Sequence, residues 1–515
     1  LIKTTTKLFL GLGFVLLAGV TGAVVYGNGL WKATSHSTVQ PPTVVPAPQQ
    51  TALPPTVDPA AQSSTAFAIR GVIEGFYGQP WSQEQRLDML SFMSEHHLNT
   101  YVYAPKDDPY QRLRWGDPYP ATEASRMAAL AKRANEVGVK FVYSISPGLP
   151  APLPGQVLTA EMERAAITCS APADRAKLAA KVEQMRGFGV HTVLLSFDDV
   201  QERLQPADQE AYGGDLARAH AELANWLLKK GRERDPQFML WFAPTTYYGL
   251  QDNPYWQTMR TTLDPQVPVI WTGEQILSPR ITVAQADAAA TLLGRQPLVW
   301  DNYPVNDFTY AIKKKPELFL GPLEGRDPEL GTHTAGLLSN PMLQPEASKI
   351  ALATIGDYLD HPNTYRPEVA WATAVQEVVG GGAFEPLLTF AKYAVKSPVH
   401  TAGNPDFAKK VAAYQANHAD VAPLRAELET LRDLPQEVHA TVENQALLAE
   451  IDPWLNKLAA EGVAGLLALD LAQKGANDPA HADLRRQLDA KLRTLAGDPT
   501  TIGSEVYEFA KSIEK

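Results

Sequence analysis

Residues 192–200 read Thr-Val-Leu-Leu-Ser-Phe-Asp-Asp-Val, an apolar run that ends in two adjacent carboxylates. Such a run predicts a buried strand over 192–197, with Asp198 and Asp199 just past its C-terminal end. The same shape recurs on both sides of it. Strand-like segments are predicted over 69–73, 100–103, 140–144, 238–242, 267–271, 297–300 and 334–338, which makes eight with 192–197. Helix-period stretches lie between most of them, over 123–137, 174–188, 216–230 and 283–293, and Ser82 with Gln85 has capping-box spacing for one more. Strand and helix alternating over roughly 275 residues is the pattern of a (β/α)8 TIM barrel. A doubly wound open sheet is the main alternative. Periodicity does not separate the two, although the Gly-rich phosphate loop that such a sheet often carries is missing.

Beyond Pro345 the strand signal stops and helices separated by breakers follow, among them Gly380-Gly381-Gly382, Asn404-Pro405 and Gly475-Ala476-Asn477. Leu448, Ile451, Leu455 and Leu458 form an apolar stripe at helical spacing. The chain therefore divides into a barrel over 67–350 and an α-helical domain over 351–515. At the other end, Lys3 and Lys7 precede an apolar run over 8–25. Residues 1–34 read as a signal peptide or an N-terminal membrane anchor, which places the rest outside the plasma membrane, secreted or anchored in a bacterial cell envelope. Residues 35–66, rich in Pro, Thr, Ser, Gln and Ala, read as a disordered linker because they hold too little apolar surface to fold.

Composition narrows the partners. A chain of 515 residues with 45% apolar side chains can bury a large core, and a net charge of -11 without a basic run argues against nucleic acid. Contact with a membrane is expected only through the N-terminal segment. The single cysteine, Cys169, excludes an intramolecular disulfide and a Cys-rich metal site, and its expected state is a buried free thiol. No metal or cofactor is expected, and nothing in the sequence assigns an oligomeric state.

In such a barrel the chemistry sits where the strands end. The strand ends carry Glu74-Gly75-Phe76-Tyr77-Gly78, Lys106-Asp107-Asp108, Asp198-Asp199, Thr245-Thr246-Tyr247, Trp271-Thr272-Gly273, Trp300-Asp301-Asn302 with Asp307 beyond, and Ser339-Asn340. Two neighbouring carboxyls do not both ionise cheaply, so one pKa is expected to rise and that group to serve as a general acid. The aromatic groups Tyr247, Trp271 and Trp300 suit the C–H faces of a sugar ring, although each alone is more often core. Other readings stay open. The Asp pair suits a helix cap or a cation, Lys106 a partner in Asp107 or Asp108, and Asn302 and Asn340 local turns. Glu74 suits either the nucleophile of a double-displacement glycosidase or a brace for its own loop.

The segments GVIEGFYGQPW (71–81), LNTYVYAPKDDPY (98–110), LLSFDDV (194–200), APTTYYG (243–249), VIWTG (269–273), VWDNYPVND (299–307) and LLSNP (337–341) carry a resemblance to a known family. The chain resembles glycoside hydrolase family 84, the O-GlcNAcases and related β-N-acetylglucosaminidases, through the whole barrel. The resemblance implies retaining hydrolysis of terminal β-linked GlcNAc on glycans or glycoproteins, in which the sugar's own 2-acetamido oxygen attacks the anomeric carbon and forms an oxazoline. It implies that Asp198 orients the acetamido N–H and that Asp199 is the general acid and then the base. It also places Gly75 and Lys106 at the sugar hydroxyls, Tyr247 near the acetamido pocket, and Trp300 and Asn302 on the pocket wall. Asp307 and Asn340 would hold the 4-, 6- and 3-hydroxyl side. An envelope-tethered lectin that grips GlcNAc without cutting it is the reading from another class, and the presence of both aspartates weighs against it.

Overall fold

All eight predicted strands form, each within a few residues of its expected place. In a computed structural model, which describes residues 67–475 and 477–514, they are β1 (Ile69–Glu74), β2 (Thr100–Tyr103), β3 (Lys140–Ile145), β4 (Thr192–Ser196), β5 (Met239–Ala243), β6 (Val269–Trp271), β7 (Pro297–Asp301) and β8 (Gly336–Ser339). The N-terminal segment 1–34 and the linker 35–66 lie outside the described residues. The strands pair in parallel in chain order, and β8 closes on β1 with Val72 opposite Ser339. Closure decides between the two sheet readings, since an open doubly wound sheet keeps two edges. At the seam Gly336 has φ +148°, and a Cβ there would lie 2.4 Å from the Ile69 carbonyl oxygen, so only glycine lets the two strands meet.

One residue from each strand fills the barrel: Ile73, Val102, Val142, Leu194, Trp241, Ile270, Leu298 and Leu338, all fully buried. Their neighbours Val72, Tyr101, Leu195 and Phe242 are equally buried in a second core of barrel and helix side chains. A strand buried on both faces reads as a continuous apolar run rather than an alternating one, which is why 192–197 looks as it does. Burying each such aliphatic side chain stabilises the fold by about 1.5–3 kcal/mol.

The helix Gln83–Glu95 starts from the expected capping box, with the Ser82 hydroxyl accepting from Gln85 N–H and the Gln85 side chain accepting from Ser82 N–H. The predicted helices appear at Ala121–Glu136, Pro172–Gly187, Leu216–Arg234 and Val283–Leu293. After β8 comes the helix Pro345–Asp360, buried along most of its length and packed against Gln83–Glu95 and β8. The division expected between 350 and 351 cuts through this helix and has to be corrected. The helix ends only at His361, which precedes Pro362 and so leaves the α region.

From Pro367 to the end of the described residues, the regular structure is helical. Ala422–Thr441 packs along Gln445–Ala472, whose Leu448, Ile451, Leu455 and Leu458 are buried as the stripe predicts. This bundle is tied to the barrel by polar joints. Glu450 accepts the Ala347 N–H at 2.9 Å, Asn444 donates to Glu346 at 2.7 Å and Trp454 donates to the Pro316 carbonyl at 3.0 Å. Among the described residues no helix is long and apolar enough to cross a membrane.

Candidate active site

At the end of β4 the chain stays paired for one more residue, with Phe197 N–H donating to Ala243 at 2.7 Å. It then turns sharply at Asp199, which has φ +54°, a left-handed conformation uncommon for a non-glycine residue. Ala151 N–H at 2.8 Å and Arg112 Nη2 at 3.3 Å both donate to the Asp199 carbonyl and hold the turn. The turn points both carboxylates into one pocket.

Asp198 is 5% exposed. Its Oδ2 accepts from Lys106 Nζ, while its Oδ1 is buried and has no hydrogen-bond partner among the described residues. Asp199 sits nearer the opening. Its Oδ1 accepts from Tyr247 OH at 2.8 Å and its Oδ2 from Tyr77 OH at 3.1 Å, with Lys106 Nζ 3.5 Å away. Lys106 therefore serves the Asp198–Asp199 pair and not Asp107 or Asp108. Asp107 accepts from Gly78 N–H, and Asp108 from the Tyr103 and Tyr119 hydroxyls.

The expected rise of one carboxyl pKa does not occur at Asp199. Burial pushes it up, but Lys106, Arg112 and the Tyr247 and Tyr77 hydroxyls together hold it below the usual carboxylate value. Burial also works against the charge on Lys106, yet the two aspartates keep its pKa above that of a free lysine. Asp307, desolvated and accepting Tyr77 N–H at 2.8 Å, is pushed up to about 6.

Trp300 forms the floor, 5% exposed, with Lys106 Nζ 5.4 Å above its ring and its own Nε1 without a partner among the described residues. A Cβ on Gly75 would sit 2.3 Å from Trp300 Cζ2, so glycine is needed for this close approach. Asn340 is not a local turn residue. Its Oδ1 accepts from Gly75 N–H at 3.2 Å and its Nδ2 donates to Asn302 Oδ1 at 2.9 Å. Asn302 also donates to the Ile276 carbonyl at 2.8 Å, so both ends of its side chain are engaged and it braces Asn340. Trp271, buried and donating to the Gly249 carbonyl at 3.0 Å, is core.

All nine sequence-derived site residues thus lie at the same mouth of the barrel. Glu74 does not join them as a nucleophile. It is fully buried, bidentate to Arg86 at 2.7 Å, and accepts from Trp81 N–H at 3.2 Å and from Tyr101 OH. It braces the loop after β1, and the double-displacement reading falls with it. Tyr77 and Arg112 are the residues that sequence reasoning missed. Tyr77 stood in a strand-end segment without an assigned role. Arg112 carried no signal, because only the fold of the β2 loop brings it to Asp199.

The beta-N-acetylglucosaminidase family model matches residues 70–392, and a hyaluronidase post-catalytic domain-like model matches residues 405–509. Protein O-GlcNAcases of Rattus norvegicus and Mus musculus are each 33% identical over 316 residues, or 60% of this chain and 32% of the relative. The chain thus spans about a third of the length of these relatives. Among solved structures, a mutant of Thermobaculum terrenum O-GlcNAc hydrolase superposes with a TM-score of 0.77 at 28% identity, covering 87% of this chain and 94% of that one. CpGH84B superposes with a TM-score of 0.74 at 29% identity, covering 87% and 77%. With a closed barrel, an acid pair at its mouth and a family match over most of the chain, this protein belongs to the beta-N-acetylglucosaminidase family, glycoside hydrolase family 84.

Proposed function

We propose that the protein is a retaining β-N-acetylglucosaminidase that removes terminal β-linked GlcNAc by substrate assistance. The observation that carries this reading is the Asp198 carboxylate, with one oxygen on Lys106 and the other buried and unpartnered among the described residues. A buried acceptor left without a donor costs about 1–3 kcal/mol, and the N–H of a 2-acetamido group is the donor that fits it. That bond turns the acetamido oxygen toward the anomeric carbon. Asp198, held by Lys106, balances the positive charge that grows on the acetamido group as the oxazoline ring closes.

Asp199 gives its proton to the glycosidic oxygen and later takes one from the water that opens the ring. It needs a higher pKa than its present partners allow. A bound sugar excludes water from the pair and competes for Lys106 and the Tyr247 hydroxyl, and each change favours the neutral carboxyl. Trp300 supports the sugar face, and Gly75, Lys106, Asn340 and Asp307 take its hydroxyls. Asn302 acts through Asn340. The substrates are GlcNAc-ended glycans or glycoproteins outside the membrane. Export is supported by the lysines and apolar run at the N-terminus and by the linker that follows them.

The test is hydrolysis of aryl β-N-acetylglucosaminides, together with binding of a thiazoline mimic of the bicyclic intermediate. Wild type should cleave and should bind the thiazoline tightly. Asp199→Ala should lose about 10²–10⁴-fold on poor leaving groups and much less on good ones, while Asp198→Ala should slow both alike. Cleavage without thiazoline binding would overturn substrate assistance. Sugar binding without cleavage would favour a lectin.

A further inference from the structure

We propose that Arg112 is the positioning residue of Asp199, holding its backbone turn directly and its carboxylate through Tyr77; this rests on the reading of Asp199 as the general acid. Arg112 is 7% exposed and comes from the loop after β2, 87 residues from Asp199 in sequence. Its guanidinium makes three contacts there. Nη2 donates to the Asp199 carbonyl at 3.3 Å, Nη1 donates to Tyr77 OH at 3.2 Å, and the fork lies 5.6 Å from the Tyr77 ring centroid. The Tyr77 hydroxyl in turn donates to Asp199 Oδ2 at 3.1 Å.

One planar group therefore grips the acid at both ends, the peptide directly and the carboxylate through Tyr77. A left-handed non-glycine residue persists only where its surroundings hold it, and Arg112 with Ala151 N–H supplies that hold. A lysine carries the charge but lacks the fork that reaches two acceptors.

Asp199 is faced by Lys106 and Arg112 from the β2 loop, Tyr77 from the β1 loop, Tyr247 from the β5 loop, its neighbour Asp198, and Asp307 after β7. Within this set Arg112 favours the ionised form. Removing it raises the proton affinity of the acid and frees its backbone. The group must be protonated for oxazoline formation, so the basic limb of the kcat profile, which reports the enzyme–substrate complex, should move to higher pH.

The experiment follows kcat and kcat/KM against pH on a phenyl and a dinitrophenyl β-N-acetylglucosaminide, for wild type, Arg112→Met, Arg112→Lys and Tyr77→Phe. Arg112→Met should lose on the order of 10²-fold on the phenyl substrate and at most about a tenth of that factor on the dinitrophenyl one. Its basic limb should rise by about one pH unit. Arg112→Lys should keep the wild-type limb yet show the same dependence on leaving group. Tyr77→Phe should lose less, in the same direction. Equal losses on both substrates with an unmoved limb would reduce Arg112 to a structural role. If Arg112→Met shows no cooperative melting, the lysine and Tyr77 variants decide by the same criterion. A wild type inactive on both substrates would sink the hydrolase reading itself.

Discussion

Asp199 and Asp307 open on the same pocket, yet their surroundings push them apart, Asp199 below and Asp307 above the ordinary carboxylate value. Cations and hydroxyl donors reach the first, while burial dominates at the second. The raised pKa of Asp307 carries a stability cost. Its folded value of about 6 exceeds the unfolded one, so its favourable contribution is present at low pH and is lost as pH rises through 6. Asp307→Asn keeps an acceptor for Tyr77 N–H and removes the ionisation. Its Tm should exceed that of wild type at pH 8, the difference should shrink at about pH 4, and sugar affinity should fall. That two carboxylates stand together at a strand end was legible in residues 192–200. The direction of the shift at Asp199 was not, because Arg112 reaches the site from 87 residues away and no local pattern announces it.

The strand ends show what an element contributes beyond its existence. β1 and the helix Gln83–Glu95 are locked by the buried pair Glu74–Arg86, and this lock fixes where Gly75 and Tyr77 emerge. Arg86→Met would leave a buried carboxylate with no cation, at a cost of about 3–5 kcal/mol in unfolding free energy. Chemical denaturation should show that loss, and adding Glu74→Gln should restore part of it, since no charge then stays unpaired. A full loss retained in the double variant would show that Arg86 acts by packing alone. Eight strands and the capped helix were readable from apolar runs and one Ser–Gln spacing. The role of Glu74 was not, because Arg86 sits on the next helix and its partner is chosen by how that helix lies against β1.

At the scale of the molecule, the barrel and the bundle share the helix Pro345–Asp360. Ala347 N–H in its first turn is capped by Glu450 from the bundle, and Trp454 bonds the loop after β7 at Pro316. The bundle therefore finishes the barrel's eighth unit. A fragment of residues 67–392 should melt well below the full chain or aggregate, because it uncovers apolar faces now packed on Gln445–Ala472. A fragment with unchanged Tm and solubility would mean that the two parts are independent. Local order was determined by the sequence alone: buried strands alternate with helices eight times, and it is the closure of the sheet that brings every strand end to one mouth. Tertiary structure decided the rest. Which cation neutralises which carboxylate, which oxygen is left for a substrate, and where the barrel stops depend on contacts between residues tens of positions apart, and no local pattern encodes them.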